Sequence, residues 1–439
     1  MTTATSEHIA TIIDFLNRNA DYAVLRNYEG LPDRNSSRDI DIIITSESLR
    51  SIKKRLIGLI DRSGWKIINY LNSDRLITYV CAHIDTNVKA ELVQWDFFIN
   101  TSVFGILLMD AKEFLAHKQF NGFLYYVGVE CQFLDKYLYN RAVGSSYPAK
   151  YQVTRDAAEN LPAVAEKLKS IFGRPTVAAC DSTSSLKLLR RAIFANLKNP
   201  FAFTARVAKF LHTFTKNYVY SNTGFSIGFT GPDGSGKTTV IDLMLEEFGE
   251  VFSQAHSYYH FRPTLFGNLG EVAHSAGLKK EVDREYDKPH RGGKTGTFNS
   301  FLRLLYYTID YIVGYFVKVK SKTRITRLVI FDRYYTDIIC DSRRSRIYLS
   351  PKFLYRWKRM FIPSLNYNIL LTASTETILA RKRELGREGI EAINQKIDYL
   401  ADKKGYYKVV NESTPQEAVE KILRIVFDNQ HQENLQRLK

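Results

Sequence analysis

Apolar positions along the first part of the chain switch between two periods. Residues 8–17 repeat every three or four positions and predict a helix, whereas 22–25 and 40–44 are short apolar runs that predict strands on either side of a polar turn at 32–37. Residues 46–63 return to the helical period, and 65–71, 75–82 and 89–98 predict three further strands. Together they make a small α/β domain over residues 1–110. From 111 to 143 the pattern turns helical and aromatic, and after the break Gly144-Ser145-Ser146-Tyr147-Pro148 the stretches 155–172 and 184–197 predict more helices, so 111–221 reads as a helical region and linker. Beyond it, 225–230, 257–261, 328–331 and 367–373 are buried-strand runs and 240–248 has helical spacing, which predicts a third region over 222–430. Residues 301–319 are apolar but interrupted by Arg303, Asp310 and Lys318, the pattern of a buried or amphipathic helix rather than a membrane span. Residues 279–297, rich in charge, Gly and His, read as a mobile loop.

Composition adds three constraints. With 439 residues and a 45% hydrophobic fraction, the chain is long enough for two or three cores. Its 62 Lys and Arg against 46 Asp and Glu give a net charge of +16, which favours an anionic partner: a nucleotide, a nucleic acid, a phosphorylated acceptor or an acidic membrane surface. Cys81, Cys131, Cys180 and Cys340 lack metal or disulfide spacing, and the first residues carry no secretory pattern, so a reducing, cytoplasmic setting is expected. The segment 199–216 interleaves Arg206, Lys209, His212 and Lys216 with phenylalanines; it reads either as a helix for peripheral membrane or partner contact or as a linker helix packed on a neighbouring domain. The sequence leaves oligomeric state open.

The chemistry begins at Gly231-Pro232-Asp233-Gly234-Ser235-Gly236-Lys237-Thr238-Thr239, which fills every position of the G-x-x-x-x-G-K-[ST] phosphate loop between a strand run and a helix run. The glycines let backbone N–H groups turn toward an anion and the helix start adds its positive dipole end. Lys237 would then reach the β/γ-phosphates and Thr238 would offer a magnesium ligand. Gly231, Gly234, Ser235, Gly236 and Thr239 complete the cradle. The run 328–331 delivers Asp332 and Arg333 at a strand end, where ligands collect in parallel sheets, and 257–261 ends in Arg262-Pro263. After 367–373 come Arg381, Lys382, Arg383 and Arg387.

With these motifs, residues 225–427, nearly half the chain, resemble the thymidylate kinase family of P-loop nucleoside monophosphate kinases. The resemblance implies that Asp332 and Arg333 position metal and phosphate, that Arg262 holds the acceptor phosphate, that the run Arg381-Lys382-Arg383-Glu384-Leu385-Gly386-Arg387 forms a basic lid, with Arg381, Arg383 and Arg387 at the site, and that Asp233 meets a hydroxyl of the acceptor. ATP and Mg2+ follow as the implied donor and cofactor. Members that bind thymine carry an arginine before the Asp-Arg strand. Here residues 306–311 read Tyr-Tyr-Thr-Ile-Asp-Tyr, and Asp341-Ser342-Arg343-Arg344-Ser345-Arg346 adds cations, which points to an acceptor with an anionic or polyhydroxylated group. Asp310 reads either as a paired core carboxylate or as an acceptor ligand.

A second constellation lies near the start. Asp39 and Asp41 alternate on a strand, so their carboxylates share a face with roughly 7 Å between α-carbons, and Asp96 follows a later strand. Carboxylates so placed can hold magnesium beside a triphosphate. This resembles the nucleotidyltransferase superfamily, except that Leu25-Arg26-Asn27 stands where that family carries a Gly-Ser pair. Arg26 is either a substitute phosphate contact or a structural ion pair.

The expected fold class is α/β: a C-terminal P-loop domain built on a three-layer parallel sheet, a small nucleotidyltransferase-like N-terminal domain and a helical linker region. The expected activity is transfer of the ATP γ-phosphate to a small-molecule acceptor (nucleotide, sugar or polyol), fused to nucleotidyl transfer, in the manner of surface polysaccharide biosynthesis. The competing expectation is an ATP-hydrolysing regulatory or nucleic-acid-binding protein with a degenerate N-terminal domain. No nucleic-acid motif of known type is present, so nucleic acid is not the expected partner.

Overall fold

The computed structural model describes residues 3–35, 39–84, 90–217, 224–248, 256–262, 296–324 and 328–438. The expected loop at 279–297 lies outside these up to residue 295, as do Pro263 and the end of the turn at 32–37. Two compact units emerge: residues 1–85, 91–221 and 427–439 form the first, and 86–90 and 222–426 the second.

The first unit opens with the helix Thr3–Asn19, whose Ile9, Ile12, Ile13 and Leu16 recur at the helical period and are buried. Strands β1 (Tyr22–Val24), β2 (Asp39–Ile44), β3 (Lys66–Asn72), β4 (Leu76–Ile84) and β5 (Ala90–Phe98) follow the expected runs. Between β2 and β3 the helix Ser46–Arg62 is capped by the Thr45 hydroxyl, which accepts from Ser48 N at 3.2 Å, and buries Leu49, Ile52, Leu56 and Ile60. Two features were not foreseen. One is a hairpin of β6 (Asn100–Val103) and β7 (Ile106–Asp110), which turns through Phe104 and Gly105, both at positive φ. The other corrects the helical reading of 111–143: only Ala111–Leu115 and Val129–Val143 are helical, with β8 (Gln119–Phe120) and β9 (Tyr125–Tyr126) between them. Gly122 at φ +95° and the Asn121 side chain, which accepts from Phe123 N and Leu124 N, turn the chain there.

The resulting sheet has the order β3-β4-β5-β2-β1-β9-β8, with β2 parallel to β5 and antiparallel to β1. The helices after residue 111 do not stand apart. Phe133, Tyr137, Leu168 and Leu188 share one core with Ala23, Leu25 and Ile43 of the sheet region. The expected helix over 155–172 is two, Gln152–Ala158 and Pro162–Phe172, because Pro162 starts a helix but cannot continue one. Residues 427–438, the end of the helix Pro415–Leu438, also belong to this unit. Along edge strand β3, His431 Nδ1 accepts from Ile67 N at 3.0 Å and Asn434 Nδ2 donates to Ile67 O at 2.9 Å.

The second unit is built on β10 (Phe225–Thr230), β11 (His256–His260), β12 (Leu328–Asp332), β13 (Tyr367–Thr372) and β14 (Tyr406–Val410). They pair throughout in parallel in the order β11-β12-β10-β13-β14. Every residue of β10, β12 and β13 is buried, as a parallel sheet covered on both faces requires. The apolar stretch after residue 296 is the helix Thr297–Gly314 followed by a π-helical turn to Lys320; Leu304 and Tyr311 face the core, and Phe298, Leu302 and Ile309 stay exposed. No described helix is long and apolar enough to cross a membrane.

Lys358, in the helix Pro351–Phe361, is buried, donates to Ser364 Oγ at 2.8 Å and lies 5.1 Å from the centroid of the Tyr406 ring. Burial pushes its pKa down to about 8. Between pH 8 and the ordinary lysine value the unfolded chain binds one more proton than the folded chain, so stability rises with pH through that window. Urea unfolding from pH 8 to pH 10 should therefore show a change in stability on the order of 2 kcal/mol more favourable in the wild type than in Lys358→Met.

Candidate active site

Because the five strands of the second unit run parallel, their C-terminal ends gather on one edge. β10 ends at Thr230 and enters the phosphate loop, which the helix Lys237–Glu247 leaves. The loop depends on its glycines for different reasons. A Cβ on Gly231 would lie 2.0 Å from Leu371 O, so β13 backbone occupies the space a side chain would need. Gly234 and Gly236 sit at φ +89° and +86°, a region L side chains rarely adopt. Gly236 also lies against Asn411, which follows β14 and donates from Nδ2 to Ser235 O at 2.9 Å.

Lys237 is buried and donates from Nζ to Gly231 O at 2.8 Å and Pro232 O at 3.0 Å. Burial, reinforced by the neighbouring Arg333 guanidinium, brings its pKa down to about 8. Asp332 ends β12 at the register of Phe229 and His260 on its two neighbours. One of its carboxylate oxygens, Oδ2, is 3.2 Å from His260 Nδ1 and 3.4 Å from the Tyr258 hydroxyl. The other, Oδ1, is buried and has no partner among the described residues. Burial alone would raise the Asp332 pKa, but the His260 hydrogen bond and the charges of Lys237 and Arg333 outweigh it and hold the group below the usual carboxylate value.

Arg333 takes a left-handed backbone at φ +75°, which costs a non-glycine residue about 1 kcal/mol or more. Its N–H donates to Phe229 O at 2.9 Å, its Nη1 to Asp337 Oδ1 at 2.8 Å, and its Nη2 pairs with Asp233 of the loop. Arg344, from the short helix Ser342–Ser345, pairs with the other oxygen of Asp233 and lies 3.4 Å from Asp341 Oδ2. Burial works against the Asp233 charge, but Arg333 and Arg344 hold its carboxyl well below the usual range. Both oxygens of Asp233 thus face guanidinium groups.

These groups line one cleft of about 480 Å³: Asp233, Gly234, Gly236, Lys237, Thr238 and Thr239 from the loop, Asp332 at the end of β12 and Arg333 just after it, with Arg381 beside them. His260 and Arg344 join the lining without a role read for them individually from the sequence, and Lys382 and Glu384 enter it from the lid run 381–387. Lys382 lies in the basic run that drew attention to the lid, and Arg344 in the basic run after Asp341, but spacing did not say which of those cations turns inward. The basic lid is not one helix. Thr375–Arg381 ends at Arg381, whose Nη1 donates to Asn411 O at 2.9 Å, and a new helix, Arg387–Ala401, begins after Gly386. Arg383 is exposed outside the cleft lining, and Arg387 forms a surface pair with Glu376 at 2.7 Å. Arg262 does not line the cleft either. It is buried, 3.1 Å from Asp310 Oδ2 and stacked 4.6 Å from the Tyr307 ring centroid, so Asp310 is a paired core carboxylate.

In the first unit, the parallel register sets Asp41 opposite Asp96, and one carboxylate oxygen from each of Asp39, Asp41 and Asp96 lies within 4.8 Å of the others. Arg26, also buried, donates from Nε to Asp41 Oδ2 at 2.6 Å and from Nη1 to Asp135 Oδ2 at 3.0 Å. It thus forms a buried ion pair with both carboxylates, and its Nη2 has no partner among the described residues. Asp96 accepts from Thr78 Oγ1 at 2.5 Å and from Gln94 Nε2 at 3.1 Å. Burial, aided by Asp41 and Asp39, lifts its pKa to about 7 even so.

No protein-family model matches the chain, and no curated protein matches it. Among solved structures, a thymidylate kinase from Ehrlichia chaffeensis is similar at 15% identity, over 46% of this chain and 98% of its own, with a TM-score of 0.31. A thymidylate kinase from Candida albicans is similar at 16% identity, over 47% and 93%, with a TM-score of 0.33.

The Gly231 contact is testable without any ligand. Gly231→Ala must push the loop off β13, and chemical denaturation should register a loss of about 2 kcal/mol or more. A variant as stable as the wild type would show that the loop is not held against Leu371.

Proposed function

We propose that the second unit is an ATP-dependent phosphotransferase that moves the γ-phosphate of ATP to a small acceptor of nucleotide, sugar or polyol type. The observation that carries this reading is the meeting of Lys237, Thr238, Arg333 and the unpartnered Oδ1 of Asp332 in one cleft at the ends of parallel strands. A cleft that only bound anions would not need a buried, charged carboxylate with an open oxygen; one that also takes a divalent cation does. Thr238 and Asp332 would hold magnesium, whose charge, when bound, offsets that of the donor phosphates.

The protein's own part is positioning. Lys237 exchanges its loop carbonyls for the β/γ-phosphate oxygens, and the loop N–H groups at the helix start cradle the chain of phosphates. Arg333, fixed by Asp337 and Asp233, presents a planar donor edge that does not have to be ordered at the moment of transfer. Arg381 and Lys382 close the cleft from the other side. An acceptor oxygen in line with the γ-phosphorus then forms the new bond as the bond to the β-phosphate oxygen breaks, leaving ADP.

With labelled ATP screened against nucleoside monophosphates, sugars and sugar phosphates, at least one acceptor should be labelled by the wild type, and Lys237→Ala should lose at least about a hundredfold in rate. Turnover that ignores every acceptor and rises with DNA or RNA would establish the regulatory, nucleic-acid reading instead.

A second reading concerns the first unit: Asp39, Asp41 and Asp96 form a divalent-cation site of nucleotidyltransferase type. It is supported by the convergence of the three carboxylates and by Asp96, where a cation would take the place of the proton that burial favours. Millimolar Mn2+ should raise the thermal transition of the wild type but not of Asp39→Asn combined with Asp41→Asn, while γ-phosphate transfer persists in that double variant. An equal shift in both proteins would remove this site.

A further inference from the structure

Between Asp181 and Asp233 the chain contains no Asp or Glu and seven Lys or Arg. Two helices of the first unit occupy this stretch, Ser185–Asn196 and Pro200–Thr215. The first buries Leu188 and Ala192 and turns the opposite face outward. On that outer face Leu186, Arg190, Phe194 and Leu197 follow one another at intervals of four, four and three residues, the spacing of a single helical stripe. Phe201, the second residue of the next helix, is exposed as well. Leu186 is 76% exposed, Phe194 65% and Phe201 87%. Lys187 and Lys198 flank the stripe and are exposed too.

The second helix is held from one side only. Gly105, at φ +82°, lets the tip of the β6–β7 hairpin come so close that a Cβ there would lie 2.7 Å from Val207 Cα. Phe104 meets Phe210 at 5.7 Å between ring centroids, and Arg206 Nη2 donates to Asn196 Oδ1 at 2.7 Å. None of this helix's residues is buried, and Leu211 and Phe214 remain exposed beside the contact. The linker-helix reading therefore accounts for its inner face and leaves the outer one without a role.

We propose that this outer face, from Leu186 to Phe201, docks the protein on an anionic lipid surface. Exposed leucine and phenylalanine at helical spacing fit the boundary between headgroups and acyl chains, while the basic residues beside them meet the headgroup charge. The lack of any acidic residue over the whole stretch is what selects this occupant. A second copy of the chain would set Lys187, Arg190 and Lys198 against their own copies, and a protein surface of mixed sign has no need for such uniformity. A nucleic acid would satisfy the charge but not the aliphatic Leu186 and Leu197, which offer bases neither hydrogen bonds nor an aromatic ring on which to stack.

The test is flotation of the full chain with vesicles of phosphatidylcholine alone and with equal parts of phosphatidylcholine and phosphatidylglycerol. The chain should float with the anionic vesicles only, and less as salt is raised. Arg190→Glu with Lys198→Glu should lower the partition coefficient at least about tenfold, and Leu186→Ser with Phe194→Ser should do likewise. Because all four side chains are exposed, the thermal transition should stay in place in both double variants. Absence of flotation, or flotation that neither double variant changes, overturns the proposal. So does a gel shift of labelled duplex DNA, or dimerisation, that these variants abolish in place of lipid binding.

Discussion

The ion pair between Asp233 and Arg333 ties the phosphate loop to the end of β12, and the rest of the cleft takes its shape from that tie. Arg333 accepts an unfavourable backbone to make it. The cost is borne because Phe229 O, Asp337 and Asp233 all hold the same residue. Asp332, one position earlier, is thereby turned so that one oxygen meets His260 and the other faces no protein group among those described. Removing one partner from so buried a pair would leave an uncompensated charge, far costlier than replacing both.

The same pair alters the meaning of Asp233. As a loop residue with a free carboxylate it would greet a hydroxyl on the acceptor. Set between Arg333 and Arg344, it instead neutralises two guanidinium groups and orients them. On the proposed phosphotransfer reading, an incoming anionic group would compete with Asp233 for those cations. Arg344 reaches this place from a short helix whose position depends on the packing of everything between residues 335 and 361.

That dependence marks where the sequence is legible. The phosphate loop could be read because its function needs consecutive residues, and Asp332 because a strand end in a parallel sheet is a predictable location. That Asp39 and Asp41 share a face could be read from alternation alone, since period two fixes the face of a side chain, whereas Asp96 meets them through the register of β2 with β5. Arg262 could not. A lone arginine at the end of a strand looks the same whether it faces a phosphate or a buried Asp310, and only tertiary packing decides. Asn411, Arg344 and His260 carry no local pattern, and β8 and β9, two residues each, are too short for any period to appear. The pairing of Arg26 was hidden for a related reason: Asp135, its second partner, lies 109 residues away in the chain.

The bonds from His431 and Asn434 to Ile67 have a consequence in time. Strand β3 precedes the whole second unit in the chain, yet its edge is covered by residues that follow that unit. A first unit emerging from the ribosome would therefore carry an open strand edge, with an unpaired N–H and C=O at Ile67, until the entire second unit had followed it. Synthesis order thus couples two units whose sites are chemically separate: the first is completed only after the phosphate-loop unit exists.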